Sequence, residues 1–591
     1  MAAAGLLLGA CDDRGTPGDL NPALSRTEAQ DDASVPLREE EQRDSWGGMT
    51  AEELWAHGEA YDHVYMVGLK MPGRRRGVWR ERVLVTPQDV QAGRRSLHMA
   101  GAEVISVDPV LPIARVRVAS ADALERVRRL PHVDYVDGMI GGGTREVAAA
   151  RTASGVGSGL MSSGGDSGDL GCSRPTPFTQ WYTQTPEGDQ VSWSYEPRFN
   201  NVLNAWRRSR GDNIRIGLID TGIDAHELQL NSRFGMNPWG LTRQIWREYS
   251  AAAGWGAPWQ DTCGHGTRMA GVIAAPQDGQ NMVGTAPMSD LISIRVGGDV
   301  AVFNAGYVID AIHIAMNPAR PAHIIAMAIG TTSTFSSLSD VIRYYYYRKN
   351  AAGQLNGPLF IAATGSSFQA FIDPLPNSNV LYPAELPEVV AVAGVGQNGQ
   401  LVEDSHYGPG TELAGFVRQG TVGVPGVHAG APNPTGIDAA SGATASVAGI
   451  AALVWARYPH FNNMWLRQHL KQNAIGYSNH NNQVGYGTIF AYKAVGGFSG
   501  LLMTGPTSVY ANTTHTYEAI PRGDGPFAYQ WNNGATTKST SYTIGQYGRT
   551  VSVTVTDVTE GRSETVSQYV AVGDGAYVPP CDPNLDPMCP T

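Results

Sequence analysis

Between about residues 191 and 498 the chain alternates two textures. Continuous apolar runs, "IRIGLI" (214–219), "LISIRV" (291–296), "HIIAMAI" (323–329), "LFIAAT" (359–364) and "VVAVAGV" (389–395), are separated by stretches with helical spacing. An apolar run without alternation suits a strand buried on both faces. The pattern therefore predicts an α/β region whose parallel sheet is covered by helices on both sides. Upstream the rhythm is finer. "RVLV" (82–85), "EVISV" (103–107), "ARVRV" (114–118) and "HVDYVDG" (132–138) read as strands. "TPQDVQAGRRSLHMAG" (86–101) and "SADALERVRRL" (120–130) read as helices, the second with Ser120 as its N-cap. Together they predict a compact βαββαβ unit. After Gly500 the strands shorten and alternate, as in "THTYEAI", "FAYQWNNG", "TVSVTVTD" and "SQYVAV", which predicts a small β-sandwich.

Shifts in texture divide the chain into six parts: a signal-like start and polar tether at 1–45, the βαββαβ unit at 46–138, a linker at 139–190, the α/β region at 191–499, the sandwich at 500–574, and a Pro- and Cys-containing tail at 575–591. The linker holds "GGG", "SGVGSG" and "SSGGDSGD", a composition that stays flexible and open to proteolysis.

A formal net charge of -11 argues against a nucleic-acid surface as the main business of the chain. The basic-aromatic stretch "RYYYYRK" (343–349) is better explained as a half-buried amphipathic helix. No run of 18 or more apolar residues marks a membrane helix. Five cysteines are few. The opening "MAAAGLLLGACDD" resembles a bacterial lipoprotein signal, which implies lipidation of Cys11 and attachment to a membrane of the cell envelope; plain secretion is the other exported outcome. Export permits disulfides, and one connectivity among those available joins Cys581 to Cys589 and Cys172 to Cys263.

Chemistry concentrates in three stretches. "AASGATASVAG" (439–449) alone reads as small residues at a tight packing, with Ser441 incidental. "IRIGLIDTGIDAHEL" ends a buried strand on Asp220, and "DTCGHGTRMAGVIAA" sets His265 between two glycines ahead of a helix. The order Asp220, His265, Ser441 is the subtilisin order of the catalytic triad. With "IDTGIDAHEL", "GHGTRMAG", "SGATASVAGIAAL" and the following segment "GTAPMSDLISIRV", residues 195 to 495 resemble the subtilisin-like serine proteases, the subtilases.

The resemblance implies a subtilisin-like α/β fold, preceded by an inhibitory propeptide and followed by a PKD or immunoglobulin-like module. The expected activity is that of an exported, self-processing serine endopeptidase acting on polypeptides, with its own propeptide as intramolecular inhibitor. Ser441 would be the nucleophile, His265 the general base and Asp220 its orienting carboxylate. No cofactor is required for catalysis, and structural calcium is left open. Residues 60–138 carry a net charge of +4 against -15 for the rest of the chain, a balance that suits docking of the two parts.

The chain also departs from the family. The usual Gly-Thr-Ser-Met-Ala-x-Pro becomes Ala439-Ala440-Ser441-Gly442-Ala443-Thr444-Ala445, and the family's Ala-Pro-Gly segment is unrecognisable near Gly415. In "FIAATGSS" (360–367) the oxyanion-hole Asn is replaced by Ser366, a donor with shorter reach. These departures leave a second reading, a degenerate subtilase fold that binds peptides or partners without turnover.

Overall fold

A computed structural model describes residues 46–70, 87–139, 172, 182–185 and 188–572, apart from 255, 280–281, 301–303, 367–377, 431–432 and 477–478. All described residues belong to one compact unit. Cys11 and its tether, the strand read at 82–85, nearly all of the linker, and the tail with Cys581 and Cys589 lie outside the described residues.

The five apolar runs form the interior of a seven-stranded sheet in the order Thr411–Phe416, Val389–Val395, Leu359–Ala363, Ile324–Met327, Arg215–Asp220, Asp290–Arg295 and Ile245–Tyr249, whose two edge strands the pattern reading does not include. Every pairing in it is parallel. One face meets helices His265–Ala274 and Ala439–Arg457, whose small and apolar residues share a core with Ile216, Leu218, Leu291, Ile324 and Val390. On the opposite face Gly217 approaches Ala315 of helix Ala305–Ala315 so closely that an added Cβ would lie 3.2 Å from the Ala315 Cβ. Both faces of the five interior strands are therefore dry, which is why they read as unbroken apolar runs, whereas the edge strand Ile245–Tyr249 is only partly buried. Ala439–Arg457, the one helix among the described residues long and apolar enough to cross a membrane, is mostly buried in this core. The "RYYYYRK" stretch closes helix Ser336–Tyr346, with Tyr345 and Tyr346 buried and Tyr347 40% exposed, as its amphipathic pattern predicts.

A half-buried histidine packed against the core adds to the pH dependence of stability. His323 Nδ1 accepts the Arg215 backbone N–H at 3.0 Å, and its ring meets Trp455 edge-on. Burial, helped by the neighbouring Arg215 charge, lowers its pKa to about 4. The fold thus prefers neutral His323, while the unfolded chain takes up the proton near pH 6.5. This contribution is whole above pH 6.5 and is lost as the pH falls toward 4, by up to about 3 kcal/mol. Urea unfolding at pH 7.5, 5.5 and 4 should show that decline, and His323→Asn should flatten it; equal slopes in both proteins would refute the assignment.

Upstream, four antiparallel strands run in the order Ala102–Val107, Ile113–Val118, Val64–Leu69 and Val133–Asp137. Helices Pro87–Met99 and Ala121–Arg128 accompany them, and the Ser120 hydroxyl caps the second by accepting the Ala123 N–H at 3.2 Å. The strand Val64–Leu69 is absent from the pattern reading. It is an interior strand with four successive buried residues, so "VYMVGL" offers no alternation to read.

This sheet packs on helix Ser336–Tyr346 and reaches helix Ala305–Ala315 through Arg115 and Asp108. Helix Ser336–Tyr346 has no side-chain cap of its own; Asp137 supplies one, accepting both the N–H and the hydroxyl of Ser337 at 2.7 Å. Around it Arg115 pairs with Asp310 at 3.0 Å, and His313 Nε2 meets Asp108 at 2.7 Å. The Met139 carbonyl accepts the Ala305 N–H at 2.9 Å.

Residues 500–572 form a three-stranded and a four-stranded sheet. Val551, Val553 and Val555 point into the shared core with Trp531 and Tyr542, while the intervening Thr554 pairs outward with Thr565 at 2.7 Å. The sandwich is bolted to the α/β region through buried Arg208, which is held between Asp557 and Glu560. A disulfide joins Cys172 to Cys263.

Candidate active site

Parallel sheets of this kind carry their sites at the carboxyl ends of the strands, where loops can converge. Asp220 ends the strand Arg215–Asp220 and is completely buried. Its Oδ1 accepts the Thr221 N–H at 2.7 Å and lies 2.8 Å from His265 Nδ1. A carboxylate at that distance requires the proton on Nδ1, which leaves Nε2 as the basic nitrogen.

His265 is the first residue of helix His265–Ala274 and is 5% exposed. The preceding Gly264 takes φ +86°, which lets the chain turn sharply into the helix. One turn further on, Arg268 is also buried. Burial lowers its pKa, and the attraction of Asp261 and Asp220 opposes that shift.

Ser441 sits in the first turn of helix Ala439–Arg457, whose N-cap Asp438 accepts the Ala439 N–H at 2.8 Å. Its Oγ donates to the Ala328 carbonyl at 3.4 Å, just beyond the carboxyl end of strand Ile324–Met327. Ser366 follows strand Leu359–Ala363 after Gly365, which takes φ +120°, and its Oγ accepts the Ala440 N–H at 3.3 Å.

Two pairs are therefore in contact: Asp220 with His265, and Ser366 with the backbone beside Ser441. The Ser441 hydroxyl is given to Ala328 rather than to His265. Among the described residues no three His, Cys, Asp or Glu side chains gather as a metal site would need. Pattern reading missed Asp261 and Thr221, buried polar residues beside the Asp220–His265 pair; the only signal in the sequence is an acidic residue four positions before a glycine-flanked His.

Residues 211–487 match the model of the subtilase family. The chain is 32% identical over 290 residues to a thermostable alkaline protease of Halalkalibacterium halodurans, covering 48% of this chain and 68% of that relative. It is 28% identical to Subtilisin Savinase of Lederbergia lenta, covering 45% of this chain and 84% of that protein. It is 29% identical to the minor extracellular protease Epr of Bacillus subtilis, covering 51% of this chain and 41% of Epr. With the Asp–His pair and the serine-bearing helix at the carboxyl edge of one parallel sheet, these matches settle the family: the chain belongs to the subtilases, the subtilisin-like serine endopeptidases.

Proposed function

We propose that this chain is an exported endopeptidase that cuts polypeptides through Asp220, His265 and Ser441 by way of an acyl-enzyme. The observation that carries this reading is the 2.8 Å bond between Asp220 and His265 Nδ1, at the same sheet edge as Ser441. In the reaction Ser441 Oγ attacks the scissile carbonyl while His265 Nε2 takes its proton. The tetrahedral intermediate collapses as His265 returns that proton to the leaving amine. Water then repeats the sequence to release the acyl group. Asp220 holds the imidazole in the required tautomer and stabilises its charged form.

Negative charge on the carbonyl oxygen falls near the N-terminus of helix Ala439–Arg457. The Ser441 N–H and a positive dipole end worth about half a charge favour it there. Ser366 completes this environment. It already accepts the Ala440 N–H, so its own hydroxyl proton is available to donate.

Residues 46–138 act in this reading as an inhibitory propeptide. Asp137 caps a helix of the α/β region, and the Met139 contact leads the chain onward into the segment that is cut, within residues 138–190. Lipidation of Cys11 would hold the exported protein at the envelope; the relative Epr is named an extracellular protease.

A fluorophosphonate probe tests the central claim. The folded protein should be labelled at Ser441. Absence of labelling would instead favour the degenerate, peptide-binding reading that the replacement of Asn by Ser366 keeps open. A second measurement tests the oxyanion assignment. Removing one oxyanion donor costs about 10²–10³ in turnover, so Ser366→Asn should raise single-turnover acylation by about tenfold or more. Equal acylation by wild type, Ser366→Asn and Ser366→Ala would remove Ser366 from the site.

A further inference from the structure

The helix that carries His265 has no side-chain cap on its N-cap residue, Gly264. Its first N–H groups are satisfied from elsewhere. The Gly266 N–H donates to Thr221 Oγ1 at 2.8 Å, and the Thr267 N–H to Asp261 Oδ2 at 2.9 Å. Asp261 is completely buried and gathers five donors. Oδ1 accepts from the Thr221 hydroxyl at 2.9 Å, the Cys263 N–H at 2.9 Å and the Gly264 N–H at 2.7 Å. Oδ2 accepts from the Thr267 N–H and, at 2.6 Å, from its hydroxyl. The Thr267 oxygen in turn accepts the Asp224 N–H at 2.8 Å.

This network joins two pieces of chain that must agree in position. Thr221 directly follows Asp220 and fixes that carboxylate through its own N–H. Thr267 and Gly264 bracket His265. The helix start is pressed hard onto the strand end: a Cβ at Gly266 would lie 2.5 Å from the Gly222 carbonyl oxygen and 3.0 Å from the Thr221 nitrogen. We infer that Asp261, acting through the Thr221 hydroxyl, is a positioning residue that sets the His265 imidazole against Asp220.

An ordinary helix cap would stabilise the loop but would not need the link to Thr221. That hydroxyl spans the gap, accepting from the His265 helix while donating to Asp261. Misplacement of a catalytic group by as little as about 1 Å can cost about a hundredfold in rate. Loss of the link should therefore lower kcat and leave substrate binding alone.

The inference rests on the triad reading above, and the test separates the two. Wild type, Asp261→Asn, Thr221→Val and Thr221→Ser are compared on a soluble peptide amide, with folding checked by circular dichroism. Asn cannot accept all five donors, Val keeps the shape of Thr without its hydroxyl, and Ser keeps the hydroxyl. We expect kcat to fall about ten- to a hundredfold in Asp261→Asn and Thr221→Val with KM within about twofold. Thr221→Ser should recover most of the loss. If Asp261→Asn does not fold, the Val and Ser pair decides. A folded Thr221→Val with wild-type kcat, or a Thr221→Ser as slow as Thr221→Val, overturns the inference. The low-field proton resonance of the His265–Asp220 bond gives a reading that does not depend on turnover. It should shift or broaden in Thr221→Val and keep its position in Thr221→Ser. An inactive wild type whose resonance follows that pattern would overturn the catalytic reading alone; one whose resonance is the same in all four proteins would overturn the positioning role.

Discussion

Ser441→Ala should lower kcat by about 10⁶ and Asp220→Asn by about 10⁴, with the double variant no slower than Ser441→Ala alone. These magnitudes are carried over from triad serine proteases, including subtilisin, a relative of this chain. Their order follows from the proposed roles. Without the Ser441 hydroxyl there is no nucleophile, so nothing remains for His265 and Asp220 to activate. With Asp220 neutralised, the Nδ1 proton loses its 2.8 Å acceptor, and the imidazole can present the wrong nitrogen to the serine. The same two variants report on processing. The wild type should shorten by cutting within residues 138–190, while Ser441→Ala stays full length. Steady-state kinetics and gel analysis of purified protein check both outcomes. Additive losses in the double variant would show that the residues do not work as a unit, and equal shortening would assign the cut to another protease.

The second large effect lies far from the chemistry. Arg208→Met should destabilise the protein by about 3–5 kcal/mol, the cost of breaking a buried ion pair on one side. Burial alone would lower the pKa of this guanidinium, but Glu560 and Asp557 outweigh it and hold the group above its ordinary value. The side chains of Asp557 and Glu560 are 0% and 1% exposed, so removing Arg208 leaves two buried carboxylates without their cation. Replacing all three, as Arg208→Met with Asp557→Asn and Glu560→Gln, should restore most of the loss, because neutral groups avoid the desolvation penalty. Urea unfolding in the Ser441→Ala background measures this without self-digestion. A loss below about 1 kcal/mol for Arg208→Met would mean that the ion pair does not hold the sandwich in place. The texture of residues 500–574 predicts a self-contained unit, and its core does close on itself; the tie to Arg208 shows that it is also fixed to the α/β region.

What the sequence determined by itself was local or periodic. Unbroken apolar runs announced the parallel strands, because strands dry on both faces need no polar side. Alternation in "TVSVTVTD" announced a sheet with one wet face, and Ser120 marked a helix start through a bond spanning three residues. Asp220, His265 and Ser441 stand out as candidates because each lies in a short motif whose glycines and small residues serve close approach, and because their order is itself informative. Tertiary structure decided what depends on partners remote in the chain. The strand Val64–Leu69 gains its identity from neighbours on both sides, Asp137 caps a helix that begins 199 residues later, and Arg208 finds its carboxylates about 350 residues on. Asp261 looked like one more loop acid until folding brought the end of the Asp220 strand against the start of the His265 helix. Hydrogen bonds between distant residues leave no period and no spacing in a sequence, so only the folded chain reveals them.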